Sequence, residues 1–170
     1  MKKLIPVLLL SILLVYFSSC EKDDICVDGD TPNLVIGFFD SADTTLARVV
    51  PSLRIKEIQL DTVINTITDR SSNLDSIGVP LRTNTASTSF AFITDSADDA
   101  DTGLETGNID TLTITYTPRE AFISRACGFV MNFDDLGIIL PESANNWIQD
   151  ISIVQESIEN SNTIHVKIFF

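Results

Sequence analysis

From Leu34 to Phe170 the chain alternates short apolar runs with stretches rich in Ser, Asp, Asn and Gly, and no window sustains a helical period. The sharpest segment sets Leu112, Ile114 and Tyr116 against Thr111, Thr113 and Thr115. Every second side chain shares a face only in extended backbone, so this pattern demands a strand with one buried face. Similar runs lie at Leu34–Phe39, Val49–Ile58, Ile77/Val79/Leu81, Phe90/Phe92, Ala121–Phe133, Ile148–Ile158 and Thr163–Phe170. In the second run Val49, Leu53 and Ile55 oppose Arg48, Arg54 and Lys56, and Pro51 assigns its start to an edge. Gly128 interrupts the long run at 121–133 and marks a bulge or bend. Pro141–Trp147 fits one short helical turn.

Strands in succession without intervening helices favour one all-β domain. The expectation is a single antiparallel β-sandwich, immunoglobulin-like or similar, of about eight strands. A transmembrane barrel is the rival, because the chain ends on an alternating strand with terminal Phe170. Most runs fall short of the 9–11 residues a membrane strand needs and lack aromatic girdles, which argues against it.

The first 33 residues read differently. Lys2 and Lys3 precede an apolar run of 14 residues, Leu4–Phe17, then Ser18, Ser19 and Cys20. A spanning helix needs about 20 residues, so the run is an export signal rather than a membrane helix. Small residues directly before a cysteine are what lipoprotein signal peptidase reads, although Phe17 stands where leucine is usual. Cys20 is therefore the expected lipidation site, and two or three acyl chains on it would attach the protein stably to lipid. The division is residues 1–19 signal peptide, 20–33 acidic tether and 34–170 sandwich domain. Loss of Lys2 and Lys3 leaves 9 basic against 24 acidic residues, a net charge of −15. Such a surface repels nucleic acid and anionic headgroups. An apolar content of 44% argues for a folded domain rather than a disordered one.

With Cys20 committed to lipid, Cys26 and Cys127 remain, and two thiols in an oxidising compartment are most simply a disulfide. A zinc site is the rival, but the chain has a single histidine, His165, to complete its shell. His165 lies opposite Ile164, Val166 and Ile168 in the alternation, which puts it on the solvent face with Lys167. One histidine leaves no means to build a triad, and no nucleophile elbow or phosphate-cradling loop is present. No catalytic residue, metal or cofactor is expected.

Two acidic patterns remain. Asp95, Asp98, Asp99, Asp101 and Glu105 crowd the segment 94–107 with Gly103 among them, which are the ingredients of a calcium loop, though the EF-hand register fails. The plainer reading is a solvated hairpin loop. Asp followed by Ser or Thr recurs at Ser41, Thr44, Thr62, Ser76, Ser96 and Thr111, a pattern that resembles the short O-glycosylation acceptor of exported Bacteroidetes proteins. Turn chemistry explains the same pairs, since Asp and Ser both favour strand ends.

Lys22, Asp23 and Asp24, just past the lipid cysteine, resemble the signal that sends Bacteroidetes lipoproteins to the cell surface. Together CEKDDIC at 20–26, SRACG at 124–128, NWIQ at 146–149 and HVKIFF at 165–170 resemble an uncharacterised flavobacterial lipoprotein family, a domain of unknown function. The resemblance implies an outer-membrane, surface-exposed location and the pairing of Cys26 with Cys127; it implies no reaction. The expected role is a binding or structural module held on outer-membrane lipid by its acyl anchor, with an envelope protein or glycan as partner and no nucleic acid. The alternatives are a small carboxylate-based hydrolase, which needs a catalytic cleft, and a calcium-dependent adhesion module.

Overall fold

The computed structural model describes Cys26 and residues 29–170. Among these residues there is no helix, and nine strands form two sheets. They are β1 (Leu34–Phe39), β2 (Arg54–Glu57), β3 (Thr62–Val63), β4 (Ser76–Val79), β5 (Ser87–Thr94), β6 (Asn108–Ser124), β7 (Gly128–Ile139), β8 (Asp150–Ile153) and β9 (Val166–Phe169). One sheet runs β4-β1-β9-β8 and the other β3-β2-β5-β6-β7. Neither closes into a barrel.

The inner faces of both sheets meet in one core. Leu34, Ile36 and Phe38 of β1 and Val166 and Ile168 of β9 face Ile55, Phe90, Phe92, Leu112, Ile114 and Phe133 from the other sheet. The period-two reading of Leu112, Ile114 and Tyr116 holds: all three are buried, and so are Ile77, Val79 and Leu81. Tyr116 packs edge-on to Phe133 at 5.1 Å and donates its hydroxyl to the Arg82 carbonyl at 2.8 Å, so its polar tip is satisfied inside the core.

Several expectations need correction. The pairing is not purely antiparallel, because β1 runs parallel to β9, joining the first strand to the last. The strand count is nine because a two-residue strand, β3, pairs with β2. Its four residues of pairing carry too little periodicity to be seen in sequence. Val50 and not Val49 joins the core, since the chain turns at Pro51–Ser52 and breaks the alternation before β2. Residues 141–147 form turns rather than a helical turn. The irregularity expected at Gly128 is present as a register shift between Phe122 and Ser124 of β6, opposite Phe129 and Gly128, but Gly128 also ends a hairpin turn, so the run is two strands rather than one.

Candidate functional site

The β6–β7 hairpin outgrows the sheet that carries it. β5 pairs β6 only from Asn108 to Thr115, whereas β7 pairs it on to Ser124. Beyond Tyr116 the two strands continue as a ribbon with no third strand on the β5 side among the described residues. Ser124 opposite Gly128 closes the turn around Arg125, Ala126 and Cys127, with the Cys127 N–H donating to Ser124 Oγ at 3.0 Å. Gly128 has φ +74°, the left-handed conformation that three-residue hairpin loops place at this position and that glycine adopts without strain.

The tip of this ribbon is apolar. Phe122 and Phe129 face one another across the strands with ring centroids 5.3 Å apart, 59% and 67% exposed. Every other phenylalanine among the described residues is at least half buried. Ile123 is also exposed, and no carboxylate occurs between Ala121 and Asn132.

Cys127 at the tip pairs with Cys26, with sulfurs 1.99 Å apart and 101 residues between them in sequence. A Cβ at Gly29 would collide with the Cys26 sulfur, so the lead-in chain can pass the disulfide only as glycine. From there it returns along β7: the Met131 N–H donates to Thr31 Oγ1 at 3.4 Å, and the Asn33 N–H to Ser161 Oγ at 2.8 Å. Asp30, Asn33, Ile123, Val130 and Glu159 border an open groove of ≈ 570 Å3 between this segment and the ribbon. Cys20, Lys22, Asp23 and Asp24 lie outside the described residues.

The acidic segment 94–107 sits at the opposite end of β6. Its carboxylates do not converge on a cation site, and among the described residues no group of three or more His, Cys, Asp or Glu is placed to hold a metal ion. Asp98 pairs with Arg70, whose hydrogen bond lowers the carboxyl pKa. Asp99 caps its own turn, accepting from the Asp101 and Thr102 N–H groups and the Thr102 hydroxyl, and is lowered by them. Glu105 accepts from the Ala97 and Gly107 N–H groups through one oxygen and from Ser96 Oγ and Arg54 through the other. Burial raises its pKa, yet these donors outweigh burial and the net shift is downward. Arg54 also holds Asp69 through a two-pronged contact of 2.7 to 3.2 Å. Asp95 and Asp101 are exposed. Arg54 and Arg70 thus join Asp69, Asp98 and Glu105 in an arginine–carboxylate network. Arg54 and Arg70 come from distant parts of the sequence, so only the fold reveals them.

The hydroxyls of the Asp-Ser/Thr pairs fall into two groups. Ser41, Thr44, Thr62, Ser76 and Thr111 are exposed. Ser96 is 3% exposed and engaged by Glu105 and Arg70, which removes it from the accessible candidates. Turn chemistry is present as well: Asp40 accepts from the Ala42 and Asp43 N–H groups, and Asp43 from Thr45. Asp110, 2% exposed, accepts from the Ile148 N–H at 2.8 Å and so ties the β7–β8 connection to the start of β6. Burial raises its pKa against the opposing pull of the Ile148 and Trp147 N–H groups.

His165 is fully buried, not solvent-facing. β9 begins only at Val166, so alternation does not extend back to it. Its Nδ1 accepts the Val35 N–H at 3.1 Å, its Nε2 has no partner among the described residues, and burial lowers its pKa. Lys167 does face outward, lying over the Phe39 ring at 4.6 Å.

Residues 52–170 match the family of unknown function DUF6452. The chain belongs to that family. No curated protein and no solved structure matches it significantly. The matched region takes in the whole β6–β7 hairpin and Cys127, while Cys26 and β1 lie before it.

Proposed function

We propose that this DUF6452 protein is a lipid-anchored envelope lipoprotein, displayed on the outside of the outer membrane of a Bacteroidetes cell. Its sandwich, of an immunoglobulin-like kind, serves as a binding or structural module rather than an enzyme. The carrying observation is the pairing of Cys26 with Cys127. It ties the chain six residues beyond Cys20 to the body of the domain, and such a bond belongs to an exported protein. The basic and apolar N-terminus ending in Ser-Ser-Cys supports the same compartment. Lys22, Asp23 and Asp24 support surface display, and the exposed hydroxyls of Ser41, Thr44, Thr62, Ser76 and Thr111 leave room for O-linked glycans there. Loops at both ends of such a sandwich are open to an envelope protein or glycan partner.

The test is the fate of Cys20→Ser in the native host. The expected outcome is unprocessed precursor or a soluble form, where the parent fractionates with membrane and carries acyl mass on its first residue. A variant that fractionates like its parent, with the same N-terminus, would refute the anchor.

A further inference from the structure

We infer that the tip of the β6–β7 hairpin is a second membrane contact: Phe122 and Phe129 seat in the boundary between headgroups and acyl chains of the bilayer that holds the lipid anchor. This rests on the proposed lipidation of Cys20. Four observations carry it.

The first is reach. Cys20 and Cys26 are six residues apart, extended chain advances at most about 3.6 Å per residue, and the bridged Cα atoms are 4.9 Å apart, so the disulfide holds Cys127 within about 27 Å of the anchored cysteine. A leash attached only where β1 starts, at Leu34, would allow about 50 Å. The second is composition. In a mature chain of net charge −15, the stretch from Ala121 to Asn132 holds one charged side chain, the cation Arg125, and no carboxylate. The hairpin tip's own residues therefore add no negative charge where the leash brings them down to the headgroups.

The third is direction. β6 has 17 residues, about 55 Å of strand at ~3.3 Å each, and the acidic segment 94–107 adjoins its far end. Tip-down seating therefore carries the acidic segment away from the membrane. The fourth is size. Phe122, Ile123 and Phe129 together expose on the order of 300 Å2, taking ~200 Å2 for a whole phenylalanine. That is below the ~500 Å2 that each partner buries in even a small stable protein–protein interface. It is enough to supplement an acyl anchor, since partial burial of two aromatic rings adds to chains that already hold the protein at the surface.

The experiment uses the natively lipidated full-length protein carrying Phe129→Trp, reconstituted in phosphatidylcholine vesicles whose acyl chains are brominated near the headgroup. The native Trp147 is an internal reference, because it packs beside Asp110 near the start of β6, about 40 Å of strand from the tip. The expected result is protein that floats with the vesicles, with the introduced indole quenched by bromine and blue-shifted relative to the unlipidated Cys20→Ser form. Emission from Trp147 in the parent should be unaffected by bromine. Floating protein whose introduced indole is neither quenched nor shifted would overturn the membrane contact and leave the anchor standing. A blue shift without quenching would assign the tip to a second copy of the chain and overturn it equally. Failure to float would overturn the lipidation reading and this inference with it.

Discussion

The two ends of β6 solve the problem of an exposed loop in opposite ways. At one end the segment 94–107 is crowded with carboxylates, and its charges are answered locally: Asp98 by Arg70, Glu105 by Arg54 and Ser96, and Asp99 by its own turn. At the other end the ribbon leaves two phenylalanines in solvent and is tied down by one covalent bond, to a cysteine 101 residues earlier. The acidic end is complete within the domain. The hairpin end leaves apolar surface uncovered, in Phe122, Ile123 and Phe129. A dense cluster of functional-looking side chains can therefore be structural, while a nearly featureless stretch, AFISRACGF, carries the open surface.

The largest test of this contrast is Cys127→Ser. Constraining a loop of about 100 residues is worth about 4–5 kcal/mol in the chain-entropy account, so the variant should lose stability on that scale in denaturant titration. Reduction of the parent should reproduce the loss. A change below about 1 kcal/mol would mean the hairpin is held by its noncovalent contacts. At the acidic end the corresponding probe is Asp110→Ala, which strands the buried Ile148 N–H and should cost about 1–3 kcal/mol. Asp110→Asn keeps an acceptor and removes a charge whose pKa burial has raised, so it should be close to neutral at pH 7. Equal losses in both variants would show that the charge, rather than the acceptor, matters.

How much of this was legible in sequence follows from the range of the interactions involved. Alternation of Leu112, Ile114 and Tyr116 is local, and it correctly marked a half-buried strand. His165 was misplaced because alternation was carried one residue past the start of β9. Gly128 was recognised as a break but not as the end of a turn, since nothing local distinguishes a bend from a hairpin. The fate of Asp98 and Glu105 depends on arginines 28 and 51 residues away, a separation that no short window spans. The apolar tip does leave a mark in the sequence: the absence of carboxylates from 121 to 132 in so acidic a chain.

His165 offers a smaller test, between the two ends. Its folded pKa is lowered from 6.5 by burial, so the unfolded chain takes up a proton first as pH falls. The stability it contributes is present above pH 6.5 and is lost below it, with a slope of up to about 1.4 kcal/mol per pH unit. Asp69 and Glu105, whose pKa values are lowered, lose their contributions in the same direction but only further into the acid range. The stability of the parent relative to His165→Gln should therefore fall on the acid side of pH 6.5 and be independent of pH above it. A difference independent of pH would mean the imidazole is not shielded from protons. The smallest expected effect is that of Phe122→Ser with Phe129→Ser. Both rings are exposed, so folding stability should change by no more than about 0.5 kcal/mol. A loss above about 2 kcal/mol would show that the tip is part of the core and not an open surface.

In the proposed envelope protein the lead-in chain and the hairpin tip form one covalent unit beside the lipid anchor. Peptide mapping of natively exported protein without reduction tests that most directly. The predicted result is one linked species joining the Cys26 and Cys127 peptides, with acyl mass on an N-terminal Cys20. Two freely alkylatable thiols at Cys26 and Cys127 in correctly exported protein would contradict it.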